Sequence, residues 1–134
     1  SQYKLKNLIK RLNGHIVFIK GNHDDSETFT KAGILVQQYK ELSLRHPETK
    51  QQIHTCLFHF PIHVWHRQHR GSCHLHGHSH GGYTDGKGRI LDVGLDSAYN
   101  LTGQHRFFSE QEIVERMLSI PFVSNDNHKP RENE

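Results

Sequence analysis

The segment His15-Ile16-Val17-Phe18-Ile19-Lys20-Gly21-Asn22-His23-Asp24 joins a short, mostly apolar and β-branched run to four residues dense in polar chemistry. The apolar residues do not alternate with polar ones, which suits a strand buried on both faces, as in a parallel sheet covered by helices. The run stops at Gly21-Asn22-His23-Asp24. Polar groups at the carboxyl end of a buried strand stand where open α/β sheets place their ligands. An α/β fold with chemistry at the strand ends is therefore expected.

Working upstream, Leu5, Leu8, Ile9 and Leu12 fall at helical spacing among lysines and arginines, so residues 3–12 are expected as an amphipathic helix ended by Asn13-Gly14. Downstream, residues 26–33 suit a short helix with Ser26 as its N-cap, followed by a strand at Ile34-Leu35-Val36. Residues 39–45 and 52–58 form an expected hairpin around the polar turn 46–50. After His59, residues 62–72 read as loop or irregular helix, and His74-Leu75-His76 as extended. Glycine-rich turns at 77–82 and 85–88 lead to a strand over 89–93 and a loop over 96–104. Ser109-x-x-Glu112 is a capping box opening a helix whose apolar face carries Ile113, Met117 and Leu118. One domain over 1–118 is expected, with a polar, mobile tail over 119–134.

Composition narrows the class. The chain has 134 residues, of which 33% are hydrophobic, enough for one core. No apolar run approaches the ~18–20 residues of a membrane helix, so no membrane partner is expected. The formal charge of +3 permits an anionic ligand without being a nucleic-acid signature. Cys56 and Cys73 form no CxxC pair and no disulfide framework, so a reducing cytoplasm is the simpler setting, with Cys56 buried and inert. Histidine is the outlier: 14 in all, with a dense cluster from His59 to His80. Histidine is the commonest metal ligand.

Gly21-Asn22-His23-Asp24, then His59, then Gly77-His78-Ser79-His80 each follow an expected strand, in that order. This pattern resembles the calcineurin-like metallophosphoesterases, which carry Gly-Asn-His-Asp/Glu, a later single His and Gly-His-x-His. Leu91-Asp92-Val93-Gly94-Leu95-Asp96 is similar to the strand and turn that follow Gly-His-x-His in bacterial and phage-type members. The resemblance implies a four-layer α/β sandwich and a metal-dependent hydrolase of phosphomonoesters or phosphodiesters, acting through a metal-activated hydroxide. It assigns Asn22, His59 and His78 to one metal and His80 to a second. His23 becomes the acid beside the leaving oxygen, and Asp24 its orienting carboxylate. Mixed nitrogen and oxygen ligands suit Mn, with Fe, Zn or Ni as alternatives.

The family's opening strand ending Asp-x-His and its metal-bridging Gly-Asp motif are not found upstream of Gly21. The resemblance thus covers about residues 3–118, the family's C-terminal portion, and a dinuclear site requires ligands supplied from elsewhere. Expected partners are a phosphate-ester substrate and either a missing N-terminal segment or a second copy. The alternative is a non-catalytic metal-binding or partner-binding remnant of the fold. For the remaining residues the simpler readings are preferred: solvated loop histidines at 63, 66, 69, 74 and 76, and Trp65 covering the core edge. Arg67, Arg70, Lys87 and Arg89 are read as solvated surface.

Overall fold

The computed structural model describes residues 2–127 and is a mixed α/β protein. Helix α1 (Gln2–Lys10) precedes β1 (Phe18–Ile19), α2 (Ser26–Lys31) and β2 (Val36–Gln37). Strands β3 (Tyr39–Arg45), β4 (Gln52–Phe58), β5 (Cys73–His76) and β6 (Ile90–Asp92) follow, then α3 (Leu95–Thr102) and α4 (Glu110–Ser119). The strands divide into two sheets: β1 pairs with β2 in parallel, and the larger sheet runs β3-β4-β5-β6. Within the larger sheet β3 and β4 are antiparallel, while β4, β5 and β6 are parallel.

The hairpin forms in the register Tyr39↔Phe58 through Arg45↔Gln52. Its turn is tied to α4 through the buried His46. His46 Nδ1 accepts from the amides of Glu48 and Thr49, so Nε2–H is left to donate to Glu115 at 2.7 Å. That bond is the first cause holding the Glu115 carboxyl below its ordinary range. Side chains alternate across the sheet. One face presents Ile53, Cys73, Leu75 and Leu91 to Ile113, Val114 and Met117 of α4. Met117 and Val114 are fully buried, each contributing roughly 1.5–3 kcal/mol. Helix α4 opens with the expected capping box, Ser109 Oγ accepting from Glu112 N and Glu112 accepting from Ser109 N.

The opposite face of the larger sheet is polar. Glu41, His54, Cys56, His74, His76 and Asp92 lie on it, the first four beneath the segment 61–72 and the last two beside residues 77–83. His74 and His76, expected as solvated loop residues, are instead 0% and 3% exposed. Their neighbours explain this: His74 sits mid-strand under Trp65, its Nδ1 3.0 Å from the Cys56 carbonyl and its Nε2 3.2 Å from the Ile62 amide. Nδ1 faces the Cys56 carbonyl and donates to it, Nε2 accepts from the Ile62 amide and also lies 3.2 Å from the Phe60 carbonyl, and burial lowers the His74 pKa, so the ring is neutral at pH 7. Trp65 is buried as expected and donates to the Ser72 carbonyl. Arg89, read from sequence as solvated, donates to the carbonyls of Gly71 and Ile120. Cys56 is buried as expected, Cys73 is buried as well, and burial raises both thiol pKa values.

Several local expectations are corrected. Strand β1 has two residues and is half-buried rather than buried on both faces, because β2 is its only partner among the described residues. Asp25 rather than Ser26 caps α2, its carboxylate accepting from Glu27 N and Thr28 Oγ1. The expected loop over 96–104 contains α3, which Gly103 ends at φ 80°. The expected tail begins inside α4, whose last residue is Ser119, and Asn125 then bonds Gln68 and the His63 carbonyl. The rest of that tail, 128–134, lies outside the described residues. Among the described residues, no helix is long and apolar enough to cross a membrane.

Candidate metal centre at the strand ends

Three chain segments meet beyond the carboxyl ends of β1, β4 and β5. The first is the turn after β1. Gly21 N donates to Asp24 Oδ2 at 2.7 Å and Asp24 N to the Gly21 carbonyl, which closes the turn and leaves Asn22 and His23 at its exposed tip. The second is His59, directly after β4. The third begins at Gly77, directly after β5, whose amide donates to the His59 carbonyl at 2.9 Å and joins the two strand ends.

This arrangement brings together Asn22, His59 and His78. Asn22 Oδ1 lies 2.7 Å from His59 Nε2 and 3.3 Å from His78 Nδ1. The two imidazoles stand edge-to-face with centroids 5.2 Å apart, and Phe60 packs against both. Gly21 suits the close approach: a Cβ there would lie 3.1 Å from the His59 ring and from Asp24 Oδ2, so either side chain would have to shift by a few tenths of an ångström. His78 holds a left-handed φ of 65°, a conformation that costs about 1–2 kcal/mol for a residue with a Cβ. Such strain persists where the surroundings over-determine it. Here Asp92 does so, accepting from Gly81 N and Gly94 N at 2.9 Å each and anchoring the 77–82 turn to the end of β6.

Desolvation, followed by repulsion from His78, lowers the His59 pKa and keeps that ring neutral. A neutral imidazole is the form that ligates a metal. One carbonyl oxygen and two ring nitrogens facing one another make a donor set that fits a first-row divalent ion. A cleft of about 200 Å³ opens beside this cluster, lined by Lys20, Asn22, Gln38, His59 and Phe60.

The other candidate residues are placed differently. Asp24 closes the Gly21 turn instead of bonding the exposed His23 ring. His80 stands apart from the cluster and faces Asp96, its Nδ1 3.4 Å from Oδ2, with His105 3.6 Å from the other carboxylate oxygen. Sequence reading gave no role to Lys20, Phe60 or Asp92, although Lys20 directly precedes the Gly-Asn-His-Asp turn and Asp92 lies in the Leu91–Asp96 phrase that resembles the family. Comparison of the chain with protein-family models, with curated proteins and with solved structures finds no match.

Proposed function

We propose that the Asn22, His59 and His78 cluster is a divalent-metal site of a phosphoester hydrolase, and that this chain forms the C-terminal portion of a calcineurin-like sandwich. The observation that carries the reading is the meeting of Asn22 Oδ1 with both ring nitrogens, contributed by three motifs far apart in sequence. A divalent ion there, with Mn the first choice, would polarise a phosphoryl oxygen and acidify a bound water. The chain's own groups do the rest. Lys20, lining the neighbouring cleft, attracts the phosphate dianion or diester into it. His23, exposed beside Asn22, is free to pass a proton to the departing oxygen. His80 with Asp96 serves as the start of a second metal site that needs ligands from a further segment or subunit.

The test is Mn-dependent hydrolysis of a nitrophenyl phosphodiester, with Mn binding measured on the same samples, for the chain and its His59→Ala and His78→Ala variants. The reading expects Mn affinity to fall at least about tenfold in either variant, with any hydrolysis falling alongside. A chain that binds no Mn, or hydrolysis unchanged in His59→Ala, overturns it.

One observation favours the alternative of a binding remnant. Leu12 and Leu35, 49% and 77% exposed, line a groove of about 390 Å³ between α1 and the β1–β2 pair. An apolar surface of this kind suits a partner or a second copy. Metal-independent self-association without hydrolysis, measured by light scattering, would support this alternative over the first reading.

A further inference from the structure

On the polar face of the larger sheet, away from the strand-end cluster, Glu41, His54 and His66 converge. Glu41 on β3 and His54 on β4 share a face because Glu41 is opposite Cys56 and Ser43 opposite His54. Such diagonal neighbours lie within reach of long side chains. His66 descends from the covering segment 61–72. Both rings address the same carboxylate oxygen: His54 Nε2 is 2.5 Å and His66 Nδ1 2.7 Å from Glu41 Oε1. All three donor atoms lie within 4.8 Å of one another, and the rings are edge-to-face at 5.8 Å. Glu41 Oε2 is held from behind by the Tyr39 hydroxyl at 2.9 Å.

We infer that Glu41, His54 and His66 form a second, separate metal site selective for zinc, which ties the 61–72 segment to the edge hairpin. This inference does not rest on the phosphoesterase reading. Two imidazoles and one carboxylate are a recognised zinc donor set, usually completed by solvent. Zinc–ligand bonds of about 2.0–2.1 Å in a tetrahedron put neighbouring donors about 3.3 Å apart. The present spacings to Glu41 Oε1 are shorter by less than an ångström, so small rotations of the exposed His66 ring and the carboxylate make room. As the ion enters, any proton on the two ligating nitrogens, His54 Nε2 and His66 Nδ1, passes to the other ring nitrogen or to solvent, while Glu41, held low by its hydrogen bonds to the two rings, stays ionised. The geometry also leaves an approach path, since the His66 side chain is 59% exposed while Glu41 and His54 are 27% and 28% exposed. Tyr39 would stay as the outer hydrogen bond that orients the ligating carboxylate.

The experiment uses the full chain without an affinity tag, carrying His59→Ala and His78→Ala so that the strand-end cluster is disabled. Cobalt(II) is added as the probe, its visible d–d absorption is followed, and zinc is then used to displace it. The expected result is one saturable equivalent displaced by zinc, with affinity at least about tenfold lower in His66→Gln and in Glu41→Gln. Because His66 is largely exposed, His66→Gln decides the matter if Glu41→Gln fails to fold, with circular dichroism as the check. No saturable binding in the starting protein overturns the inference, as does affinity unchanged in His66→Gln. Binding lost instead in His63→Gln or His69→Gln assigns the metal elsewhere and also overturns it.

Discussion

Asp92 and His74 show how single buried polar groups shape this molecule. Asp92 touches neither imidazole of the strand-end cluster, yet its two oxygens hold the turn that carries His78. Asp92→Ala is expected to weaken Mn binding by about tenfold while leaving both histidines in place, measurable by calorimetric titration. His74 makes a pH-dependent contribution whose sign follows from its lowered pKa. The unfolded chain protonates this histidine near pH 6.5, whereas the folded chain protonates it only at lower pH. Between those two values the unfolded state holds more protons, so stability falls as pH falls through about 6.5. His74→Gln removes that titration along with the hydrogen bonds to Cys56 and Ile62. At pH 7.5 the wild type should be more stable than His74→Gln by roughly 1–3 kcal/mol. That gap should narrow at pH 5.5, as urea unfolding at the two pH values would show.

At the scale of elements, α4 and its seat on the sheet carry the core. Ser109→Ala, which opens the capping box, should cost about 1 kcal/mol. Met117→Ala, which empties a fully buried position, should cost roughly 2–5 kcal/mol, both read from denaturant midpoints. These elements were legible because their signals are local: a capping box, alternating strands around a polar turn, and glycines after helices. Helix α3 was not legible, since its helical character rests on two features sequence does not display. Gly94 is fixed by a bond to Asp92, and Ser97 and Ala98 are buried against the fold. The brevity of β1 was hidden for a similar reason. Its apolar composition matches a central strand, but burial depends on neighbours, and β2 is its only strand partner among the described residues. The Glu41, His54 and His66 group follows from hairpin register plus a loop, and only the first could be anticipated from residues 39–58.

For the whole molecule, two sheets joined through the strand-end cluster make the central claim one of convergence. The resemblance to the calcineurin-like pattern implied that Asn22, His59 and His78 belong together; the parallel pairing of β4 with β5 and the Gly77–His59 bond bring the two histidines side by side, and the Asn22 contact with His59 adds the third group. The resemblance could not reveal that His80 turns toward Asp96, a contact made through the unanticipated helix α3. If the cluster binds a divalent ion only in the folded state, Mn at about 100 times its Kd should add about 2.7 kcal/mol of stability, visible as a raised Tm. His59→Ala should abolish that increment. The most direct measurement is a histidine side-chain nitrogen NMR spectrum recorded while substoichiometric Mn is added. The account expects the His59 and His78 ring signals to broaden first and together, ahead of His46 and His74. Broadening spread evenly over the histidines, or beginning elsewhere while His59 and His78 stay sharp, would contradict it.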